Sequence, residues 1–174
     1  MTTWGHGLTG IAFGVLAVPR SWTRAKQAGL LLLFVGLAVV PDWPLPFWGH
    51  DRYSVSHSLF VNLGLIGMCV AAYAFAPGAR RFLGGWRTAG LGVAAWLSHF
   101  LLDSFYNHGR GVGIFWPLSE AHLALPMPWF RTLPHGWALG TAEFWRIIAI
   151  ETVFYGAVVL VCFGLRWWWE RRRA

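Results

Sequence analysis

An all-α fold, a polytopic membrane bundle of about five helices under an irregular external cap, is what this 174-residue sequence predicts. Three observations carry it. Hydrophobic residues make up 56% of the chain and charged residues 12%, a balance suited to lipid contact and not to an ordinary soluble domain. Apolar runs recur at 7–18, 28–40, 55–75, 86–106 and 144–168. Basic residues gather at the ends of those runs, where helices leave a membrane.

A crossing helix needs about 20 residues to cover about 30 Å of hydrocarbon. The run at 7–18 is short and stops at Pro19. The run at 28–40 reaches span length if 24–27 serves as its flank, and it stops at Pro41. The runs at 55–75, 86–106 and 144–168 are long enough, with Pro77 just beyond the first of them, since proline cannot continue a helical hydrogen-bond ladder. The stretch 107–141 carries Pro117, Pro126, Pro128 and Pro134, which argue against one long helix. Its tryptophans, Trp116, Trp129 and Trp137, together with Trp145 beyond it, suit the headgroup region, so it is expected to be an external cap. One domain, 1–174, is the expectation for this length. Cys69 and Cys162 sit inside apolar runs without metal or redox spacing and are expected to be packed thiols. The N-terminus has no basic leader region, so insertion is expected to use the first membrane helices.

The formal charge of +7 raises the question of nucleic acid, which the placement of the charges answers. Arg20, Arg24 and Lys26 form one cluster, Arg80, Arg81 and Arg87 a second, and Arg166, Arg171, Arg172 and Arg173 a third. Clusters at run ends are cytoplasmic anchors and not a groove that tracks phosphates. No nucleic-acid partner is expected; membrane lipids are. Placing all three clusters inside makes a multi-pass inner (plasma) membrane protein with its N-terminus outside and its C-terminus in the cytoplasm. Arg52, Arg110, Arg131 and Arg146 are then external. His6, Asp42, His57, His99 and Asp103 all emerge at that same external face, although none of them was used to choose the orientation.

His99 and Asp103 are four residues apart, one turn on a single helix face. Such a pair either hydrogen-bonds within a helix bundle or shares a metal ion. Ionisable groups in membrane segments are costly and mark functional sites, which favours the second. Three imidazoles and two carboxylates form an N/O donor set suited to one or more divalent ions, Zn²⁺ first and Mn²⁺ as the alternative. Ser56 and Ser58 flank His57, each as a helix cap, as a hydrogen-bond partner of the ligand, or as neither. Arg52 either meets lipid headgroups or clamps an anionic substrate group. His50, Asp51, His108, Glu120 and His122 are second-tier candidates for the same site, and His135 reads as a loop residue.

Taken together, His6, "PDW" at 41–43, "SHSLF" at 56–60, "LSHFLLD" at 97–103 and "GVGIFWPLS" at 111–119 resemble the YdjM-type family of membrane-bound metal-dependent hydrolases. The resemblance runs in order from His6 to about Pro128. It implies His6, Asp42, His57, His99 and Asp103 as metal ligands. One departure is that His50-Asp51-Arg52-Tyr53-Ser54-Val55 stands where the family often has a His-Arg-Gly run. A fainter similarity, in residue order and type alone, links the chain to the all-helical zinc phospholipase C and P1-type nuclease group.

The expected function is therefore a metal-dependent hydrolase at the external membrane face. In it a metal-bound water would become a hydroxide nucleophile, with Asp42 or Asp103 accepting the proton. A lipid-linked ester or phosphoester is the expected substrate, because the site lies at headgroup depth. The alternative is a non-enzymatic membrane protein with a metal-binding, metal-sensing or structural His/Asp site. The apolar inner halves of the helices disfavour an ion path across the bilayer.

Overall fold

The computed structural model describes residues 1–106, 111–133 and 140–172. Seven α-helices lie among them: α1 (Thr3–Ala17), α2 (Arg24–Ala38), α3 (Tyr53–Ser56), α4 (Leu59–Phe75), α5 (Pro77–Leu83), α6 (Trp86–Ser104) and α7 (Ala142–Arg171). The fold is all-α, and the sole pairing of extended backbone among the described residues is an isolated antiparallel bridge between Val112 and Leu123.

α1 is the centre of the bundle, packing on α7, α2 and α6. It begins where the Thr2 hydroxyl accepts the Gly5 amide and supplies an N-terminal cap. Its approach to α2 is set by Gly10. A Cβ at that position would stand 2.6 Å from the Phe34 carbonyl oxygen and 2.8 Å from the Val35 Cα, so the two helices touch backbone to backbone. Gly14, one turn on, lets Phe34 and Leu31 fill the same seam. Small residues four apart give membrane helices close contact where lipid supplies no hydrophobic drive. We expect Gly10→Val to destabilise the protein by about 1–3 kcal/mol, the usual cost of overpacking. Gly64→Val on α4, where a Cβ meets nothing within 4 Å, leaves the melting temperature in detergent unchanged.

The apolar run at 55–75 is not one helix. It breaks at His57, which caps α3, and restarts at Ser58, whose hydroxyl accepts the Val61 amide at 3.2 Å and caps α4. Asn62 braces the break. Its side-chain amide donates to the carbonyls of Ser56 and Ser58 at 2.7 and 2.8 Å, and its own carbonyl accepts from the buried Trp96 indole at 2.8 Å. Pro77 opens α5 instead of merely following a helix, because a ring with no N–H is tolerated in the first turn.

Chain direction alternates so that the ends sort by chemistry. α1 carries His6 near its start and runs toward Arg20, α6 starts beside Arg87 and ends at Asp103, and α7 ends in Arg166–Arg171. Arg87 and Arg166 donate to the Leu16 and Val15 carbonyls at the far end of α1. The basic end and the His/Asp end are therefore opposite ends of one bundle.

Among the described helices α7 alone is both long and apolar enough to cross a membrane unaided; at about 1.5 Å per residue its 30 residues reach about 45 Å. α4 is apolar but has 17 residues. Val153, Leu160, Val161, Phe163 and Leu165 leave α7 with an exposed apolar face, and Leu63, Met68 and Phe75 do the same for α4.

Residues 111–133 are stitched over the His/Asp end. Leu125 and Met127 donate their amides to the carbonyls of Ser104 and Phe105 at 2.7 and 2.8 Å, and Leu59 donates to the Ile114 carbonyl at 2.9 Å. Val112 and Ile114 enter the core beside Trp96 and Phe100, while Leu118, Leu125 and Trp129 stay exposed. This part of the cap is thus a packed cover and not a loose loop.

Candidate metal centre

Five of the side chains singled out in the sequence meet at one end of the bundle. His6 comes from the first turns of α1, His99 and Asp103 from the last turns of α6, Asp42 from a 3-10 turn (Val40–Asp42) after α2, and His57 from the α3–α4 break. The three imidazoles are fully buried, Asp103 is nearly so, and the Asp42 side chain is 10% exposed. Asp42 is the member closest to the outside.

Two hydrogen bonds fix which imidazole nitrogens face the centre. The Ala38 carbonyl can only accept, so His99 donates Nδ1–H to it at 2.9 Å and a neutral ring leaves Nε2 bare. The Ser56 hydroxyl donates to the Gly49 carbonyl at 3.0 Å and accepts from His57 Nδ1 at 2.8 Å, which leaves His57 Nε2 bare as well. These two nitrogens lie 3.4 Å apart. Around them are carboxylate oxygens, with Asp42 at 3.4 Å from His57 Nε2 and 3.9 Å from His99 Nε2, and Asp103 at 3.8 and 3.4 Å. Acceptors converge on acceptors, an arrangement that needs positive charge between them.

The donor set fits a metal ion. His6, Asp42 and His99 each offer one donor atom, all within 4.8 Å of one another, and so do His57, His99 and Asp103. His99 belongs to both groups. The rings are also held mechanically: His6 stacks on His99 with centroids 3.7 Å apart, and Tyr53 stacks on His57 at 3.8 Å. His6 Nδ1 is buried without a hydrogen-bond partner, a further bare polar atom at the centre. One cationic group is already present, since the Met1 amino group lies 2.6 Å from Asp103 Oδ1, which also sits 3.1 Å from His6 Nε2.

Burial alone raises the Asp42 carboxyl, but the His57 ring 3.4 Å away and the nearby His99 and His6 outweigh burial and hold it down at about 2. It is a carboxylate at neutral pH, as a ligand or a base must be. Burial pushes the Tyr53 phenol up, and the carboxylates of Asp103 and Asp42 push it the same way, so the ring stacked on His57 stays neutral.

The two flanking serines divide the roles. Ser56 orients the His57 ring, whereas Ser58 caps α4 and donates to the Trp116 carbonyl. We expect Ser56→Ala to weaken divalent-metal binding about 10–100-fold with little change in folding, the usual loss when a partner behind a ligand is removed. Ser58→Ala is expected to lower stability by about 1 kcal/mol and leave metal affinity alone. Titration with a competing chelator separates the two.

The other candidates fall outside this cluster. Arg52 ends a short 3-10 turn and is exposed. His50 is exposed but lies 3.8 Å from Asp42 Oδ1, at the mouth of the centre. Glu120 and His122 are exposed on the cap. His108, Arg110, His135 and Trp137 lie outside the described residues.

Sequence reasoning missed Glu151. It is buried on α7, accepts the Thr2 amide at 3.0 Å and the Thr2 hydroxyl, and lies where a Cβ on Gly5 would touch it. It anchors the start of α1 one turn before His6. The signal was in the sequence, a lone acid in the middle of the 144–168 run.

Comparisons with known proteins agree with the resemblance carried by the motifs. Inner membrane protein YbcI of Escherichia coli (strain K12) is 30% identical over 154 residues, covering 82% of this chain and 85% of that protein. No solved structure matches. A family profile described as YdjM inner membrane protein matches residues 1–172, nearly the whole chain, and the protein therefore belongs to the YdjM family of inner membrane proteins.

Proposed function

We propose that the protein is a multi-pass membrane hydrolase, one domain over 1–174, that uses a divalent metal at the external membrane face to cleave a lipid-linked ester or phosphoester. The observation that carries this reading is the pair of bare imidazole nitrogens 3.4 Å apart among two carboxylates. His6, Asp42, His57, His99 and Asp103 would hold the metal, Zn²⁺ first and Mn²⁺ as the alternative. When bound, such an ion lowers the pKa of water and polarises a scissile ester or phosphoryl oxygen.

The chain's own residues supply the rest. Ala38 and Ser56 hold two rings with Nε2 inward, and the stacked Tyr53 and His6 keep those rings from turning. Asp42, the least enclosed carboxylate, accepts the proton released by the attacking water. Arg52, exposed beside the mouth, meets the anionic group of a lipid headgroup. The exposed Trp43, Phe47, Leu118 and Trp129 surround the same end and suit the interface, where lipid headgroups would present themselves. The orientation with the centre and N-terminus outside, and the C-terminus in the cytoplasm, follows from the basic clusters at the opposite end.

One observation favours a non-enzymatic reading. The Met1 amino group on Asp103 already offsets part of the carboxylate charge, as a purely structural His/Asp network would require. The test is elemental analysis of the purified protein in detergent, followed by a screen of lipid esters and phosphoesters with and without chelator. Stoichiometric divalent metal and turnover that stops on chelation and returns with metal are the expected results. Well-folded protein that neither contains nor takes up metal would give the site to the structural network.

A further inference from the structure

A groove of about 630 Å³ opens at the basic end of the bundle, between the end of α1, the start of α6 and the last turns of α7. It is at the far end from the metal centre and independent of it. Leu16, Val18, Leu165 and Trp168 give it apolar walls, and its charged members are Arg87, Arg166 and Glu170.

The charges are not equally committed. Glu170 is neutralised, with Oε1 accepting from Arg166 Nε at 3.0 Å and Oε2 lying 2.9 Å from Arg20 Nε. Arg166 also donates Nη1 to the Val15 carbonyl at 2.9 Å. Arg87 is exposed and gives Nη2 to the Leu16 carbonyl at 3.2 Å. A guanidinium has five N–H donors, so Arg87 reaches the groove with donors to spare. Capping the end of α1 accounts for one donor from each arginine. It does not account for an apolar-walled volume next to a net positive charge.

We propose that this groove holds one anionic phospholipid, its phosphodiester on Arg87 and an acyl chain along the Leu16, Val18, Leu165 and Trp168 wall. Apolar walls select a lipid over free phosphate, because water and small ions gain nothing from them. Arg87 and Arg166 against Glu170, which Arg20 also neutralises from outside the lining, select an anionic headgroup over a zwitterionic one, whose ammonium would face the same positive field.

Native mass spectrometry of the full chain in detergent tests this, with phosphatidylglycerol and phosphatidylcholine of identical acyl chains as probes and inorganic phosphate as competitor. One phosphatidylglycerol per chain is expected, about fivefold to tenfold tighter than phosphatidylcholine. Arg87→Gln removes the preference, Arg87→Lys keeps it, and Arg24→Gln, an exposed arginine outside the groove, has no effect. Leu16→Trp fills the groove without touching a charge and abolishes binding, which keeps the test decisive if Arg87→Gln folds poorly. Equal binding of the two lipids would overturn the proposal. So would displacement of the lipid by millimolar phosphate, or an effect of Arg24→Gln as large as that of Arg87→Gln.

Discussion

His99→Ala is expected to purify with its helical content intact and with divalent-metal affinity reduced by more than about 100-fold, beyond what loss of a residue behind a ligand costs. His99 is the one member common to both donor groups. Its Nδ1 is tied to the Ala38 carbonyl, its Nε2 faces that of His57, and its ring is the surface on which His6 stacks. Removing it takes a ligand from each group and frees a second ring to turn. His57→Ala, which takes a ligand from one group alone, is expected to cost less. Competition with a chromogenic chelator ranks the two, and circular dichroism reports the fold. If His57→Ala loses metal as completely as His99→Ala while both remain folded, the centre is not organised around His99.

Glu151→Ala is expected to have the largest effect on stability, about 3–5 kcal/mol. Hydrogen bonds to charged groups contribute about 1.5–3 kcal/mol each, and this carboxylate accepts both the amide and the hydroxyl of Thr2 in a buried setting. Thr2 is also the cap of α1, so losing its partner loosens the turn that carries His6. Glu151→Gln keeps one acceptor oxygen and the volume, and is expected to recover roughly half of the loss. Thermal melts of the detergent-solubilised variants measure both. A melting temperature for Glu151→Ala equal to wild type would remove Glu151 from any part in fixing α1.

Much of the fold is legible in the sequence because its signals are physical and local. Apolar runs and prolines mark the helices, and basic clusters at alternate run ends bring His6, Asp42, His57, His99 and Asp103 to one end. What was hidden depends on contacts between distant residues. No proline or glycine lies between Val55 and Asn62, so the run at 55–75 reads as continuous. Its break at His57 is supported by Ser56 bonding to Gly49, Ser58 to Trp116, and Asn62 to Trp96. The cap reads as irregular because of its prolines, yet Val112 and Ile114 are core residues held by backbone bonds to Leu123 and Leu59. Glu151 was hidden for a different reason. A window average over an apolar helix absorbs a single carboxylate, whereas the cost of burying it requires that it have a partner.

That partner has a consequence for the order in which the protein is made. The five His/Asp residues are all translated by position 103, and α1 and α2, joined by a short connection and in backbone contact at Gly10, can pair as one hairpin. The residue that pins α1 is at 151, in α7, which is made after all five of them. A nascent chain arrested before α7 holds every candidate ligand but not the clasp on the first turn of α1. Assembly of the candidate centre therefore waits for α7 to be made.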